Sequence, residues 1–168
     1  MDIQHLSSQY SVRALLPTDA EMVYEVLKNN TIFYEYHPPM VTVESILEDM
    51  EALPPNKGYE DKYYIGFFDE GTLVAVMDLI DHYPQQGTAL LGFFAMNTNL
   101  QGQGIGTEII SGSIDHLAQV GFEIVRLGID KGNPQSKAFW LKNGFVFTGE
   151  AYESDGSTIL VMERKLYD

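Results

Sequence analysis

The chain contains no cysteine and few basic residues. Without cysteine it has no disulfide, no thiolate metal site and no cysteine nucleophile, which is typical of a cytoplasmic protein. Ten Lys and Arg residues stand against 24 Asp and Glu residues, so the formal net charge is −14. Nucleic-acid binding needs clustered basic side chains, and we therefore expect no nucleic-acid partner. The acidic field either favours a cationic substrate, such as an amine, or serves solubility alone.

Two kinds of apolar segment are also missing. No run of about 18 apolar residues is present, so we expect no transmembrane helix and no membrane partner. Residues 1–5 lack the basic and apolar pattern of a secretory signal, which favours a cytoplasmic location. The four His residues are widely separated and show no metal-ligand spacing, so we predict no metal.

The pattern of apolar residues predicts an α+β chain with a mixed central β-sheet flanked by helices. The predicted order is β-α-α-β-β-β-α-β-α-β-β. Residues 62–68, 72–80 and 88–96 are consecutive strands that we expect to form an antiparallel meander. No repeat or linker interrupts the pattern. Residues 1–168 are therefore predicted to form a single domain.

Local signals predict how several of these elements begin and end. Thr18 and Glu21 fit a capping box at the start of the first helix. Residues 31–39 are predicted as an aromatic loop that ends in Pro38-Pro39. The last two strands are predicted over residues 145–148 and 158–164.

A glycine-rich stretch, residues 100–107, joins the strand at 88–96 to a helix. Glycine lets the backbone bend tightly, and the first N–H groups of a helix have no partner within it. Such a junction is a ready site for phosphate. A dinucleotide fingerprint would need glycine at Thr107 or Ile109, and a Walker A loop would need a Lys after the glycines. Neither motif is present.

The motif that fits is Gln-x-x-Gly-x-Gly, formed by Gln101, Gly104 and Gly106. It resembles the acetyl-CoA pyrophosphate loop of the GNAT superfamily of N-acetyltransferases. Residues 133–145 resemble the second signature of that family: an Asn, a helix with small and then aromatic residues, and Lys-x-Gly-Phe. The element order is similar as well. The resemblance implies a GNAT-like fold and acetyl-CoA-dependent transfer to a primary amine, which attacks directly in a ternary complex.

The resemblance also implies where acetyl-CoA binds. The pyrophosphate would lie on the N–H groups of five consecutive residues: Gln103, Gly104, Ile105, Gly106 and Thr107. The pantetheine arm would pair with the backbone of Phe94, Ala95 and Met96, where an N–H donor to the thioester carbonyl is typically worth about 3 kcal/mol. Asn133 is either a cofactor contact or a helix cap. Lys137 and Lys142 are candidate phosphate ligands or surface residues, and Trp140 packs in the core or on the cofactor.

The catalytic residues are less well defined by the resemblance. Trp140 stands where the family usually has a Tyr that protonates the leaving thiolate, and Trp is no acid. Tyr152 could replace that Tyr, or the thiolate leaves unaided. The family's base is often a Glu on the fourth strand, but residues 88–96 contain no acid. Asp78, within an apolar run, is the candidate base or a structural carboxylate. Glu35 is its rival, with His82 behind it, and a water chain is the third option.

An aromatic region in the N-terminal third is the candidate substrate site. Tyr34, Tyr36 and His37 flank Glu35, and aromatic faces interleaved with acids suit a cationic amine. The alternative is a set of core aromatics with an acidic rim. The acceptor is a small-molecule or peptide amine, and a homodimer is consistent with the family. A non-catalytic acyl-CoA-binding or sensor domain is the alternative function, and a different phosphate ligand is a third.

Overall fold

Seven strands and five α-helices make up residues 1–167, which the computed structural model describes. The strands are β1 Ser11–Ala14, β2 Lys62–Asp69, β3 Thr72–Ile80, β4 Thr88–Met96, β5 Ile124–Asp130, β6 Val146–Ser154 and β7 Ser157–Lys165. The helices are α1 Ala20–Leu27, α2 Thr31–Tyr36, α3 Val43–Glu51, α4 Ile105–Gln119 and α5 Pro134–Lys142. Within this range no helix combines the length and apolar character needed to cross a membrane.

All seven strands belong to one sheet, in the order β1-β2-β3-β4-β5-β7-β6. Strands β2, β3 and β4 form the predicted antiparallel meander, and the β4–β5 pair is parallel, so the predicted mixed sheet is confirmed. The β4–β5 pairing covers only Thr88–Leu90 against Ile124–Arg126. Beyond these residues the two strands no longer pair. The second half of β4 therefore has an open edge on its β5 side.

Helices cover both faces of the sheet. Helix α4 and a 3₁₀ turn at Ile3–Leu6 pack on one face, and α1 and α3 pack on the other. Since side chains alternate along a strand, Met77 lies in the α4 core and Val76 in the α1–α3 core. Asp78 has the same parity as Val76. Its carboxylate is therefore on the α1–α3 side of the sheet.

Two predicted elements are wrong in extent. The aromatic segment expected to be a loop contains α2, because a turn of helix forms before Pro38-Pro39 stops it and the His37 N–H bonds to the Phe33 carbonyl. Strand β6 continues well past residue 148, where the sequence pattern predicted its end. Gly149, which has a φ of 90°, lies in an irregularity between Phe147 and Ala151 after which the pairing with β7 resumes.

The predicted Thr18–Glu21 capping box is also wrong. Asp19 takes that place: its carboxylate accepts the Leu16 N–H at 2.8 Å and two hydrogen bonds from Arg13, at 2.9 and 3.1 Å. The Arg13 guanidinium lowers the pKa of Asp19, and the bond from the Leu16 N–H adds to this effect. The Arg13–Asp19 ion pair thus connects β1 to the segment that precedes α1.

We expect Asp19→Asn to lower the free energy of unfolding by about 1 kcal/mol at pH 7, the usual value of a capping interaction. A carboxyl whose pKa is lowered by folding stabilises the fold above its unfolded pKa and loses that contribution as pH falls through the folded value. The difference between wild type and variant should therefore be constant above about pH 5 and shrink below about pH 4. Urea unfolding at several pH values measures it, and a pH-independent difference would contradict the assignment.

Candidate active site

The glycine-rich stretch forms an open cradle at the start of α4. Gly104 is the N-cap residue with a left-handed backbone, at φ 78°, and a Cβ built there meets no atom within 4 Å. The N–H groups of Ile105, Gly106 and Thr107 have no backbone acceptor within residues 1–167. They carry the partial positive charge of the helix start. This geometry suits a phosphate group that approaches the backbone closely.

A cavity of about 310 Å³ extends from this cradle along the open edge of β4. We call it the cofactor cavity. It brings together most of the residues predicted to bind the cofactor: Phe94, Ala95, Met96, Gln101, Gly104, Ile105, Gly106, Thr107, Trp140 and Lys142. Its lining also includes Leu100 and Gly102 of the predicted glycine-rich stretch, and residues that were not among the predicted cofactor contacts: Asn30, Phe33, Gln135, Ser136 and Phe139.

Three predicted cofactor residues do not line this cavity. Gln103 and Lys137 are exposed to solvent. Asn133 is buried at 2% exposure, and its side-chain oxygen accepts the N–H groups of Gln135 and Ser136 at 3.1 and 3.2 Å. Of the two interpretations of Asn133, the helix cap is the one the structure shows.

Trp140 lies between the cofactor cavity and the core. It is 8% exposed, and its ring centroid is 6.1 Å from that of Phe94 and 4.8 Å from that of Phe139. On its core side it meets Phe145 at 5.1 Å. Trp140 therefore supports the wall of the cavity by packing, as the sequence predicted.

A second cavity, of about 420 Å³, shares the wall residues Phe33, Phe94, Ser136 and Trp140 with the first. We call it the acceptor cavity. Tyr34, His37, Asp78 and Tyr152, which are candidate substrate and catalytic residues, line it together. The structure thus brings four segments, α2, β3, β6 and the residue after α2, to one partly open space beside the cofactor cavity.

Other predicted residues lie outside the acceptor cavity. Glu35 is exposed on α2, and Tyr36 packs toward the Gly132 turn, 3.9 Å from the position of a Cβ there. His82 lies in the β3–β4 connection, where Nδ1 accepts the Gly87 N–H and the ring stacks on Phe122 at 4.7 Å. His82 therefore does not stand behind Glu35.

Asp78 is paired with a buried lysine. Lys62 Nζ is 2.9 and 3.1 Å from the two carboxylate oxygens, and the Lys62 side chain is only 4% exposed. Burial raises the pKa of Asp78, and the Lys62 ammonium partly opposes that rise. Gly92 is opposite, at a bulge in the β3–β4 pairing, where a Cβ would be 3.3 Å from Asp78 Oδ2. The bulge leaves the Asp78 carboxylate room to face the cavity.

Tyr64, which belongs to the aromatic region of the N-terminal third, also lines the acceptor cavity, and three further polar residues there were missed from the sequence: Asp49, Asp130 and Ser136. Desolvation and the Asp78 carboxylate raise the pKa of Asp49. Burial raises the pKa of Tyr34 to about 12, and burial raises that of Tyr64 further. An acid at the end of an apolar strand was the available signal for Asp130. Asp49 carried no signal, since an acid on an amphipathic helix is ordinarily solvated.

Tyr152 reaches the acceptor cavity from the edge strand β6. Its hydroxyl oxygen is 3.3 Å from the position of a Cβ on Gly128, so the absence of a side chain at Gly128 leaves space for the phenol. Burial raises the pKa of Tyr152, although nearby Arg126 lowers it in part. The phenol therefore keeps its proton at neutral pH.

The parted strands, the N–H groups at the start of α4 and the acidic cavity beside them suit a protein that transfers a group from a phosphate-bearing carrier. Residues 22–145 match the model of the Acetyltransferase (GNAT) family, and the chain belongs to that family. It is thus an acyltransferase that uses acetyl-CoA. The family acts on small-molecule or protein amines.

Solved structures share this fold. An acetyltransferase from Thermus thermophilus superposes with a TM-score of 0.72 at 20% identity, over 94% of this chain and 97% of that one. A spermidine N-acetyltransferase chimera that includes the Vibrio cholerae enzyme gives 0.70 at 18% identity, over 95% and 96%. The paia N-acetyltransferase from Thermoplasma acidophilum, solved in complex with coenzyme A, gives 0.63 at 21% identity, over 93% and 98%. No curated protein sequence matches the chain.

The residues of the cofactor cavity fit coenzyme A. The cradle at Gly104 offers unpaired N–H groups for a pyrophosphate, and the open edge of β4 offers backbone partners for an amide-containing arm. Lys142 lines the same cavity and supplies a cation. Within residues 1–167, no group of three or more His, Asp or Glu residues could hold a metal ion.

Proposed function

We propose that this protein is an N-acetyltransferase for primary amines, in which the amine attacks directly within a ternary complex. The observation that carries the proposal is the pair of cavities that share the wall of Phe33, Phe94, Ser136 and Trp140. A donor in one cavity and an amine in the other would meet at that wall, and their proximity replaces a covalent enzyme intermediate. The absence of cysteine is consistent with direct attack.

The cofactor side binds and orients the acetyl donor. When bound, acetyl-CoA supplies the acetyl group as a thioester. The N–H groups at the start of α4 would hold its phosphates, with Thr107 and Lys142 in the same cavity, and the open edge of β4 would fix its arm. A free N–H on β4 between Phe94 and Met96 would polarise the reacting carbonyl, a contribution of about 3 kcal/mol in comparable sites.

The acceptor side selects a cation. Aromatic rings of Phe33, Tyr34 and Tyr64 and the carboxylates of Asp49 and Asp78 line it. Aromatic faces and carboxylates both stabilise an ammonium group in a partly desolvated site. Asp78 has both oxygens engaged by Lys62, so we assign it to electrostatic binding of the amine instead of proton abstraction. Glu35, exposed and outside the cavity, has no such role.

Tyr152 is the proposed proton donor. Its hydroxyl retains its proton at neutral pH, and the residue lines the acceptor cavity, where the hydroxyl lies next to Gly128 of β5. The hydroxyl carries the proton that the departing thiolate takes up, the role the family gives to a Tyr where this chain has Trp140. General acids of this kind typically contribute about 100-fold or more.

Tyr152→Phe should lower kcat by about 10- to 100-fold, since a thiolate is a tolerable leaving group without full assistance. Acetyl-CoA affinity should stay within about twofold of wild type, because the aromatic ring remains. In the wild type, kcat should fall only above about pH 10, as the raised Tyr pKa requires, and the variant should lack that fall. The matched control is Tyr24→Phe on α1, outside both cavities. Equal activity of wild type and Tyr152→Phe would rule out this acid.

The test of the proposed function is a titration with acetyl-CoA, coenzyme A and NAD, followed by thiol release across an amine panel. The panel holds a small aliphatic amine, a polyamine, an aminoglycoside, a peptide with a free N-terminus and a peptide lysine. Binding of acetyl-CoA with thiol release from one of them supports the proposal. Binding without release from any amine favours the acyl-CoA sensor, and binding of NAD alone would contradict the cofactor assignment.

A further inference from the structure

A buried carboxylate on β5 fixes an imidazole at the wall of the acceptor cavity. Asp130 is the last residue of β5, and its side chain is 6% exposed. Its Oδ1 is 2.9 Å from Nδ1 of His37, the residue that follows α2. The two residues are 93 positions apart in the sequence. Only the packing of α2 against the end of β5 joins them.

This contact decides which nitrogen of His37 is free. A carboxylate is only an acceptor, so Nδ1 is the nitrogen that carries hydrogen in the bond to Asp130. In the neutral ring the lone pair is then on Nε2, which has no hydrogen-bond partner within residues 1–167. An imidazole held in this tautomer is ready to accept a proton at Nε2.

The position of the ring links it to both cavities. His37 lines the acceptor cavity, and its ring centroid is 5.4 Å from that of Phe33. Phe33 belongs to the shared wall and packs at 5.7 Å on Phe93 of β4. The His37 side chain is 38% exposed, so one side of the ring meets the cavity wall while solvent can still reach it.

We propose that His37, oriented by Asp130, takes the proton from the acceptor ammonium and so generates the amine that attacks. The inference rests on the proposed amine acetylation. The N–H bond of the ammonium breaks and its electron pair stays on nitrogen as the lone pair. The proton forms a bond to Nε2, and the resulting imidazolium is paired with the Asp130 carboxylate. His37 then returns this proton to solvent through its exposed side.

Other ionisable groups surround His37 in the acceptor cavity. They are Tyr34 on α2, Asp49 on α3, Lys62 and Tyr64 on β2, Asp78 on β3, Asp130 on β5 and Tyr152 on β6. The three tyrosines keep their protons at neutral pH because burial raises their pKa values. Asp78 is held by Lys62, and Asp49 is the other carboxylate of the cavity besides Asp130. We assign the proton transfer to His37 because the Asp130 contact fixes which of its ring nitrogens is free.

The experiment compares pH profiles of kcat/KM for the most active amine of the panel. In wild type, kcat/KM should rise with pH to a plateau, because only the unprotonated imidazole can accept a proton. His37→Gln should lower it about 100-fold at pH 7, with acetyl-CoA affinity unchanged within about twofold. The residual rate should rise about tenfold per pH unit toward the amine pKa near 10, because only free amine then reacts. Added imidazole should restore part of the activity of His37→Ala.

Asp130 is a positioning residue, and Asp130→Asn tests that role. Loss of the negative charge makes the imidazolium easier to deprotonate. The rising limb of the kcat/KM profile should therefore move to lower pH, and the maximal kcat/KM should fall. A merely structural role would lower stability without moving the limb. The matched control is His5→Gln, which removes an exposed His–Asp contact, at 3.2 Å with 71% exposure of the His side chain, outside both cavities. His5→Gln should change neither the pH profile of kcat/KM nor the affinity for acetyl-CoA.

The possible results distinguish failure of this inference alone from failure of the proposed function. If wild type acetylates amines and His37→Gln keeps the wild-type pH profile, the inference is overturned and the function stands. If Asp78→Asn, and not His37→Gln, abolishes the rising limb, Asp78 is the base and the inference is also overturned. If wild type binds acetyl-CoA and releases no thiol with any amine, both fail together.

Discussion

Gly104→Glu should weaken acetyl-CoA binding at least about 100-fold, equivalent to about 2.7 kcal/mol, and remove all measurable transfer at ordinary donor concentrations. A Cβ on Gly104 would meet no atom within 4 Å, so the new carboxylate would extend into the space where we propose that phosphate binds. It would also put a negative charge on the N–H groups that the phosphate needs. Isothermal titration of acetyl-CoA measures the change.

The control for this variant separates charge from backbone strain. Gly104 has a φ of 78°, at which a residue with a side chain destabilises the fold by about 1 kcal/mol. Gly71 in the β2–β3 turn has a similar φ of 87°, also with open space at the Cβ position. Gly71→Glu should therefore lose similar stability and bind acetyl-CoA normally. Gly104→Ala should bind more tightly than Gly104→Glu. Normal affinity in Gly104→Glu would show that the pyrophosphate lies elsewhere.

Asp78→Asn should lower the free energy of unfolding by about 3 kcal/mol. The variant leaves the Lys62 ammonium buried, at 4% exposure, without a counter-charge, and an unpaired buried ion is among the most costly defects in a fold. Urea unfolding at pH 7 measures it. The double variant Lys62→Met with Asp78→Asn removes both charges, and it should be at least about 1 kcal/mol more stable than the sum of the two single effects predicts.

Lys62→Met should show a distinctive pH dependence. Burial already raises the pKa of Asp78, and without Lys62 nothing opposes that rise. When folding raises the pKa of a carboxyl, the protonated carboxyl adds to the free energy of unfolding at low pH. This contribution is lost as pH rises through the pKa of the folded state. The variant should thus be close to wild type in acid and fall further below it as pH rises. As an exposed comparison, Glu25→Gln on α1 should change stability by no more than about 0.5 kcal/mol. A loss that is the same at all pH values would contradict the pairing.

Much of the fold follows from local rules of sequence. The limits of β3 and β4 agree with the predicted ones at Thr72–Ile80 and Thr88–Met96, since long apolar runs bounded by turn residues leave little ambiguity. Gly121 and Gly144, at φ 101° and 86°, follow the ends of α4 and α5 as expected of helix-terminating glycines. The segment of α2 was expected to be a loop that ends in Pro38-Pro39, and β6 was expected to end at residue 148, but a short helix and a longer, irregular strand form there in the packed chain.

In the candidate site, too, local features were predictable and contacts between distant residues were not. The cradle at Gly104 was predictable because it is contained in one short segment whose glycines dictate its backbone geometry, and the role of Phe94–Met96 was expected only from the family resemblance. Lys62 as partner of Asp78, and Asp130 as partner of His37, were not predictable. The residues of each pair are distant in sequence, and nothing near either residue indicates its partner.

By itself, the sequence determined most of the elements, the mixed sheet and, by resemblance, the family, because glycines, caps and apolar periodicity act over a few residues. The tertiary structure alone decided that β4 and β5 part after three pairs and that two cavities share one wall. It also decided that a buried carboxylate holds His37. These features depend on how α2, α3 and the strand ends pack together, and packing joins residues that the sequence keeps apart.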